Sequence, residues 1–258
     1  MMHRIRSLGL GAASCALLIA ASPARAGFPL STEDTGTLGQ DRSKIEWNNE
    51  WGVDRTNGAR ETALTSELVL VHGLLNTLNG FIAVPYRDVR THDAAGSSTH
   101  VQGVGDIKLG LKWRLIEQGG LSLGLKTVIT APTGDDAKQL GSGKSTQAIN
   151  AIASYEAGPW VFDVDFGYKR NPNTQNQREQ LGSVSFAVVR SLDTGWKVMA
   201  DIGVASNKNK QSSHAPAYLG AGLSYEVSKA VELNLGVKRG LTNVETDFTG
   251  LAGVALHF

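Results

Sequence analysis

Lys108, Lys112, Arg114 and Lys126 recur at even intervals through GVGDIKLGLKWRLIEQGGLSLGLKTVITAPTGD, residues 103–135. Asp106 heads this row. Acids recur in the same phase elsewhere: Glu46 and Glu50, Asp163 and Asp165, and then Asp201 and Glu232. Residues two apart share one face of a strand, so these side chains predict a basic strip facing acidic walls. Two outcomes follow from such walls. They can close on one another as ion pairs, or set a field across water that sorts ions by sign.

Other chemistry finds less support. Gly141-Ser142-Gly143-Lys144-Ser145 ends like a phosphate-binding loop, but Lys138 stands where that motif needs its first glycine, and no strand-to-helix context follows. The histidines after residue 26 are His72, His92, His100, His214 and His257, and none lies in a His-x-Ser-Asn-Gly segment such as an outer-membrane phospholipase carries. Asp135, Asp136 and His214 could be cast as a protease-like set, yet they fall in separate loops without a supporting motif. No metal-ligand spacing occurs. No catalytic residue, metal or cofactor is expected.

His3, Arg4 and Arg6, the apolar run 8–21, and Ala24-Arg25-Ala26 predict a cleaved secretory signal peptide over residues 1–26. It contains the only cysteine, Cys15, so the remaining chain can form no disulfide, thiolate or cysteine–metal site. Its loss also turns the formal charge from +1 to −2, which gives nucleic acid nothing to bind. No later apolar run nears the ~20 residues of a spanning helix.

Strands must therefore position the charges. Residues 103–135 alternate strictly: Ile107, Leu109, Leu111, Trp113 and Leu115 oppose the charged phase, then Leu121, Leu123, Leu125, Thr127 and Ile129 resume after Gly119-Gly120. Period-two alternation with a short glycine break is an antiparallel hairpin. Each arm is about ten residues, the length of a tilted bilayer crossing. Further strands are predicted at 44–54, 59–71, 78–87, 146–157, 160–169, 180–190, 196–204, 217–227, 230–238 and 248–258. The connections alternate short and long, with long polar loops at 88–102, 133–145, 170–179, 206–216 and 239–247 and an irregular segment at 27–43. Trp47, Trp113, Tyr155, Trp160, Trp196, Tyr225 and Phe258 fall at the short-turn ends, while Tyr86, Tyr168 and Phe248 fall at the long-loop ends. Two aromatic rings of this kind mark two membrane interfaces. Tyr218 is out of phase. The expectation is an all-β transmembrane antiparallel up-and-down barrel of about twelve strands, in the outer membrane of a Gram-negative bacterium, with both termini periplasmic. Hydrocarbon forbids an open edge, so the last strand should pair with the first.

Three stretches carry a family resemblance: Thr32-Glu33-Asp34-Thr35-Gly36-Thr37, Gly105-Asp106-Ile107-Lys108-Leu109-Gly110-Leu111-Lys112 and Thr130-Ala131-Pro132-Thr133-Gly134-Asp135. They resemble the outer-membrane proteins grouped under the meta-cleavage pathway of phenol degradation, across nearly the whole mature chain. The resemblance implies a transporter for small molecules, with aromatic compounds as candidate cargo. The terminal Phe258 is similar to the C-terminal aromatic that such barrels present to the barrel assembly machinery. The partners expected are thus outer-membrane lipid, that machinery and a small solute. Twelve strands lie between the filled eight-stranded barrel and the open sixteen-stranded one. A water-filled channel and a plugged scaffold both remain open, the lumen residues and the position of residues 27–43 deciding between them. The small inward positions Gly110, Gly124, Gly167, Gly203, Gly236 and Gly253 favour a channel.

Overall fold

The first and last strands meet. In the computed structural model, which describes residues 27–56 and 58–258, β1 (Ser43–Thr56) pairs antiparallel with β13 (Phe248–His257), from Lys44 opposite His257 to Val53 opposite Phe248. The Ser43 and Phe258 backbones exchange two hydrogen bonds, of 2.8 and 3.0 Å, at the rim. Between them run β2 (Ala59–Leu75), β3 (Leu78–His92), β4 (Ser98–Val104), β5 (Ile107–Gln118), β6 (Leu121–Ala131) and β7 (Gln147–Ala157). Then come β8 (Trp160–Arg170), β9 (Gln180–Ser191), β10 (Trp196–Ala205), β11 (Ala217–Ser228) and β12 (Val231–Gly240). Neighbours pair antiparallel throughout, and β3 pairs with both β4 and β5. The thirteen segments thus close a barrel of twelve strands. Among the described residues no helix is long and apolar enough to cross a membrane.

The alternation read from the sequence is the alternation of the wall. Leu109, Leu111, Phe166, Leu219 and Leu235 are about half exposed on the outside. The intervening residues Ser154, Asp163, Asp201, Ser224 and Asn234 are buried inside. Exposed apolar and buried polar side chains invert the order of a water-soluble protein and fit a wall that faces lipid outward. Trp47, Trp113, Trp160 and Trp196 ring the short-turn rim, exposed to between 39% and 54%. Within that ring Trp196 stacks on Tyr225 at 4.5 Å, the Arg190 guanidinium lies 5.0 Å from the Trp160 ring, and Trp47 Nε1 donates to Ser66 Oγ at 2.7 Å.

One predicted loop is corrected. Residues 88–102 are mostly strand, because β3 runs on to His92 and pairs with β4 up to Ser98. Only residues 93–97 turn. Asp93 closes this tight hairpin by accepting the Ala95 and Ser97 N–H groups at 3.0 and 2.8 Å, and Gly96 takes the positive φ of 88°. The polar residues that suggested a loop belong to a hairpin standing beyond the lipid belt. Pro85 falls at the joint between β4 and β5, where the ladder is already broken, and its carbonyl accepts the Gly105 N–H at 2.8 Å.

Candidate functional site

Residues 27–42 lie inside the barrel and circle its inner wall as a strap. Where the strap passes β13, a Cβ on Gly253 would come within 2.7 Å of the Phe28 ring. Pro29 lies in the same way against Gly222 and Gly236. Leu30 then packs on Val161, Ala187, Val189 and Met199, the inward residues of β8, β9 and β10. Next, Asp201 Oδ2 receives the Ser31 N–H at 2.9 Å, and the Thr32 N–H, Thr32 hydroxyl and Tyr218 hydroxyl at 3.1 Å each. Thr35 donates its N–H to Ser154 at 3.2 Å and shares a 2.6 Å hydroxyl contact with Ser122. Leu38 N–H reaches Asn79 Oδ1 at 3.1 Å. Finally Gly39 crosses Gly73 so closely that a Cβ there would stand 1.8 Å from the Gly39 carbonyl oxygen. The chain then turns into β1.

Three of the predicted charges, Lys112, Lys126 and Asp201, bind this strap, and most of the others find partners on the wall or in the loops. Lys112 Nζ lies 2.9 Å from Asp34 and 3.6 Å from Glu33, and Lys126 pairs with Glu33 while standing 5.2 Å from the Phe81 ring centroid. Burial alone would raise the Glu33 carboxyl, but Lys126 and Lys112 outweigh it and hold it at about 2. Lys108 meets Glu67 at 2.5 Å, and Arg114 meets Glu117 at 3.2 Å by the short-turn rim. Asp106 accepts the Gly134 N–H at 3.1 Å, the Ser142 N–H at 2.8 Å and the Ser142 hydroxyl at 2.7 Å, so it fastens the 133–145 loop over the mouth. Asp163 accepts Ser154 Oγ at 2.5 Å, and Asp165 receives both contacts of the Asn150 amide at 2.8 and 3.0 Å. Glu232 pairs with Lys197 at 3.2 Å and accepts from Asn234 at 3.2 Å. Glu46 pairs with Lys44, whereas Glu50 stands exposed on the inner phase of β1. The strip and the acids share the inner face of the barrel, and the strap reaches Lys112 and Lys126 on one side and Asp201 on the other.

Sequence reasoning missed the partners rather than the walls. Glu33 and Asp34 sit in a segment with no periodicity, and nothing in it announces which strands it will touch. Tyr218, an aromatic out of phase with its neighbours, points inward over Gly203, where a Cβ would come within 2.5 Å of its ring. Its phase was the available signal. The protease-like set does not assemble around a shared atom: Asp135 binds Lys138 at 3.1 Å, Asp136 accepts the Thr174 hydroxyl at 2.9 Å, and His214 lies in the loop stabilised by Asn207. Among the described residues no group of three His, Cys, Asp or Glu side chains is placed to hold a metal.

Residues 36–258 match the model of the family described as "Putative MetA-pathway of phenol degradation". No curated protein matches by sequence. The fold is similar to that of an outer-membrane channel from Pseudomonas putida F1, with a TM-score of 0.69 at 17% identity over 89% of this chain and 100% of that one. It is also similar to the KdgM porin, at 0.57 and 8% identity over 83% and 99%, and to the NanC porin, at 0.53 and 8% over 83% and 98%. Barrel closure, apolar belt and these likenesses together make the molecule an outer-membrane β-barrel of the Gram-negative type.

Proposed function

Because the chain belongs to the phenol-degradation MetA-pathway family, we propose that it is a passive outer-membrane channel for small molecules, aromatic compounds and organic anions among them, whose lumen the strap narrows. The observation that carries this is the character of the inner wall. It is charged and hydroxylated from the loop mouth down to the strap, and glycines at 110, 167, 203 and 220 stand among the inward positions. Such a wall holds water, and the strap is docked on it by side chains instead of being paired into the sheet. A docked strap leaves a narrow path, which suits small solutes and excludes large ones. Phe81 and Tyr218 add aromatic surface to that path, each with an ammonium (Lys126 and Lys238) 5.2 Å from its ring centroid. The neighbours' titles, an outer-membrane channel and two porins, support the same reading. In this reading no side chain is catalytic, the short turns and both termini are periplasmic, the long loops face outward, and the exposed Phe258 engages the assembly machinery.

A second reading rests on the strap itself. Thr32, Asp34 and Thr35 are only 1%, 7% and 5% exposed, as residues of a plug would be. Recording from refolded protein in a planar bilayer separates the two. The channel reading expects small, discrete conductance steps, while a folded, inserted protein that passes no current is a plugged scaffold.

A further inference from the structure

Towards the short-turn rim every inward cation meets a carboxylate: Lys44 with Glu46, Lys112 with Asp34, Lys126 with Glu33, and Lys197 with Glu226 and Glu232. The loop mouth is different. Among the described residues neither Lys169 nor Lys208 has a carboxylate within 4 Å, and the Arg87 guanidinium is spent on the Gln139 carbonyl at 3.0 Å, with no acid of its own. Lys169 continues the inward series Asp163, Asp165, Gly167 on β8, and its partners across the sheet are Ala148 and Leu181, which offer it nothing to bind.

The loop that carries Lys208 is held in place. The Lys208 carbonyl accepts the Arg178 N–H at 2.8 Å, Arg178 Nε donates to the Asn207 carbonyl at 3.0 Å, and Lys210 reaches Asn176 at 2.8 Å. Asp106 pins the neighbouring loop as described. Lys208 and Lys108 are the like charges that act on the Lys169 ammonium, and Arg87 is the one that acts on Lys208. Positive groups gathered at a mouth with low-dielectric walls repel one another until an anion enters, and they raise its local concentration. Glu67 on Lys108, Asp106 near Lys169 and Glu245 near Lys208 temper the field, which favours a monoanion over a dianion.

We propose that the loop mouth contains an anion site in which Lys169 and Lys208, flanked by Arg87 and Lys108, take the carboxylate of a small organic acid. What the bound acid does next, descending towards the strap, rests on the channel reading; the site itself does not.

Equilibrium binding of benzoate to the refolded, full-length mature barrel in detergent tests it without any current. Benzoate should bind, K169Q/K208Q should weaken it at least tenfold, and K169R/K208R should restore most of the loss. Wild-type binding should weaken between 0.1 and 1 M salt, as the screening length falls from about 10 to about 3 Å. Heat-shifted gel mobility shows that each variant is folded, and K229Q, at a short turn, should bind as wild type does. Absence of benzoate binding, equal binding in the folded double glutamine variant, or stronger competition by inorganic phosphate than by acetate would each overturn the site. Lysine-dependent binding in a protein that passes no bilayer current would instead refute the channel and leave the site standing.

Discussion

Asp201 offers the sharpest test of the strap. One of its carboxylate oxygens accepts four hydrogen bonds, three of them from Ser31 and Thr32. Hydrogen bonds to a charged group contribute about 1.5–3 kcal/mol each, and they are not additive. Breaking a buried charged contact typically costs about 3–5 kcal/mol in all. At about 1.4 kcal/mol per tenfold, Asp201→Ala should shift the docked–undocked balance of the strap by roughly a hundredfold to a few thousandfold. The barrel itself should survive, since the β10 backbone keeps its register with Ala187 and Gly220. Single-channel recording should then show larger or more frequent openings than wild type. Limited proteolysis with mass measurement should show cutting at Arg42 that wild type resists. Asp201→Asn, which keeps an acceptor, should fall between the two. Unchanged conductance together with unchanged protease resistance in a folded Asp201→Ala barrel would refute both the anchoring role and the strap as constriction.

Further outcomes follow from the same geometry. Glu33 is held at about 2 against an ordinary 4.5, so its contribution to strap docking is full above 4.5 and is lost as pH falls through about 2; strap protection should be flat from pH 7 to 5, and loss near pH 5 would contradict the ion-pair assignment. Val164 lies between Ala153 and Phe186 on the lipid-facing phase, so Val164→Arg should cost about 2–4 kcal/mol in urea unfolding from lipid, and no loss would reverse the assignment of faces on β8. Single cysteines at Ser97, Lys144 and Gln211 should label from outside intact cells and one at Gln118 should not; the opposite pattern overturns the orientation. Deleting Phe258 removes the two backbone bonds to Ser43 at the closing seam and should lower the yield of heat-shiftable, folded barrel in cells more than it lowers the stability of refolded protein.

The barrel was legible because its signal is local. A strand in lipid must be apolar on one face and can be polar on the other, so residues such as Trp160, Phe162 and Val164 against Val161, Asp163 and Asp165 declare their faces without reference to anything distant. Strand count, girdles and closure follow from that period and from the rule that hydrocarbon tolerates no unpaired edge. Lys169 and Lys197 share the phase of Asp165 and Asp201 and so face inward, although only the folded barrel shows that Lys197 meets Glu226 and Glu232 while Lys169, among the described residues, meets no acid. The 93–97 turn was hidden because the β3–β4 hairpin stands in water, where both faces can be polar and the alternation fades. The strap was hidden more deeply. Its contacts join Glu33 to Lys126, Asp34 to Lys112 and Thr32 to Asp201, 93, 78 and 169 residues apart. No period relates such positions; a segment without alternation can lie in the periplasm or in the lumen at equal local cost. The sequence by itself therefore determined a barrel with a charged inner wall. Only the tertiary structure decided which of those charges are spent on the strap and which still face the water at the mouth, because a charge's partner is chosen by closure of the whole ring and not by its neighbours in the chain.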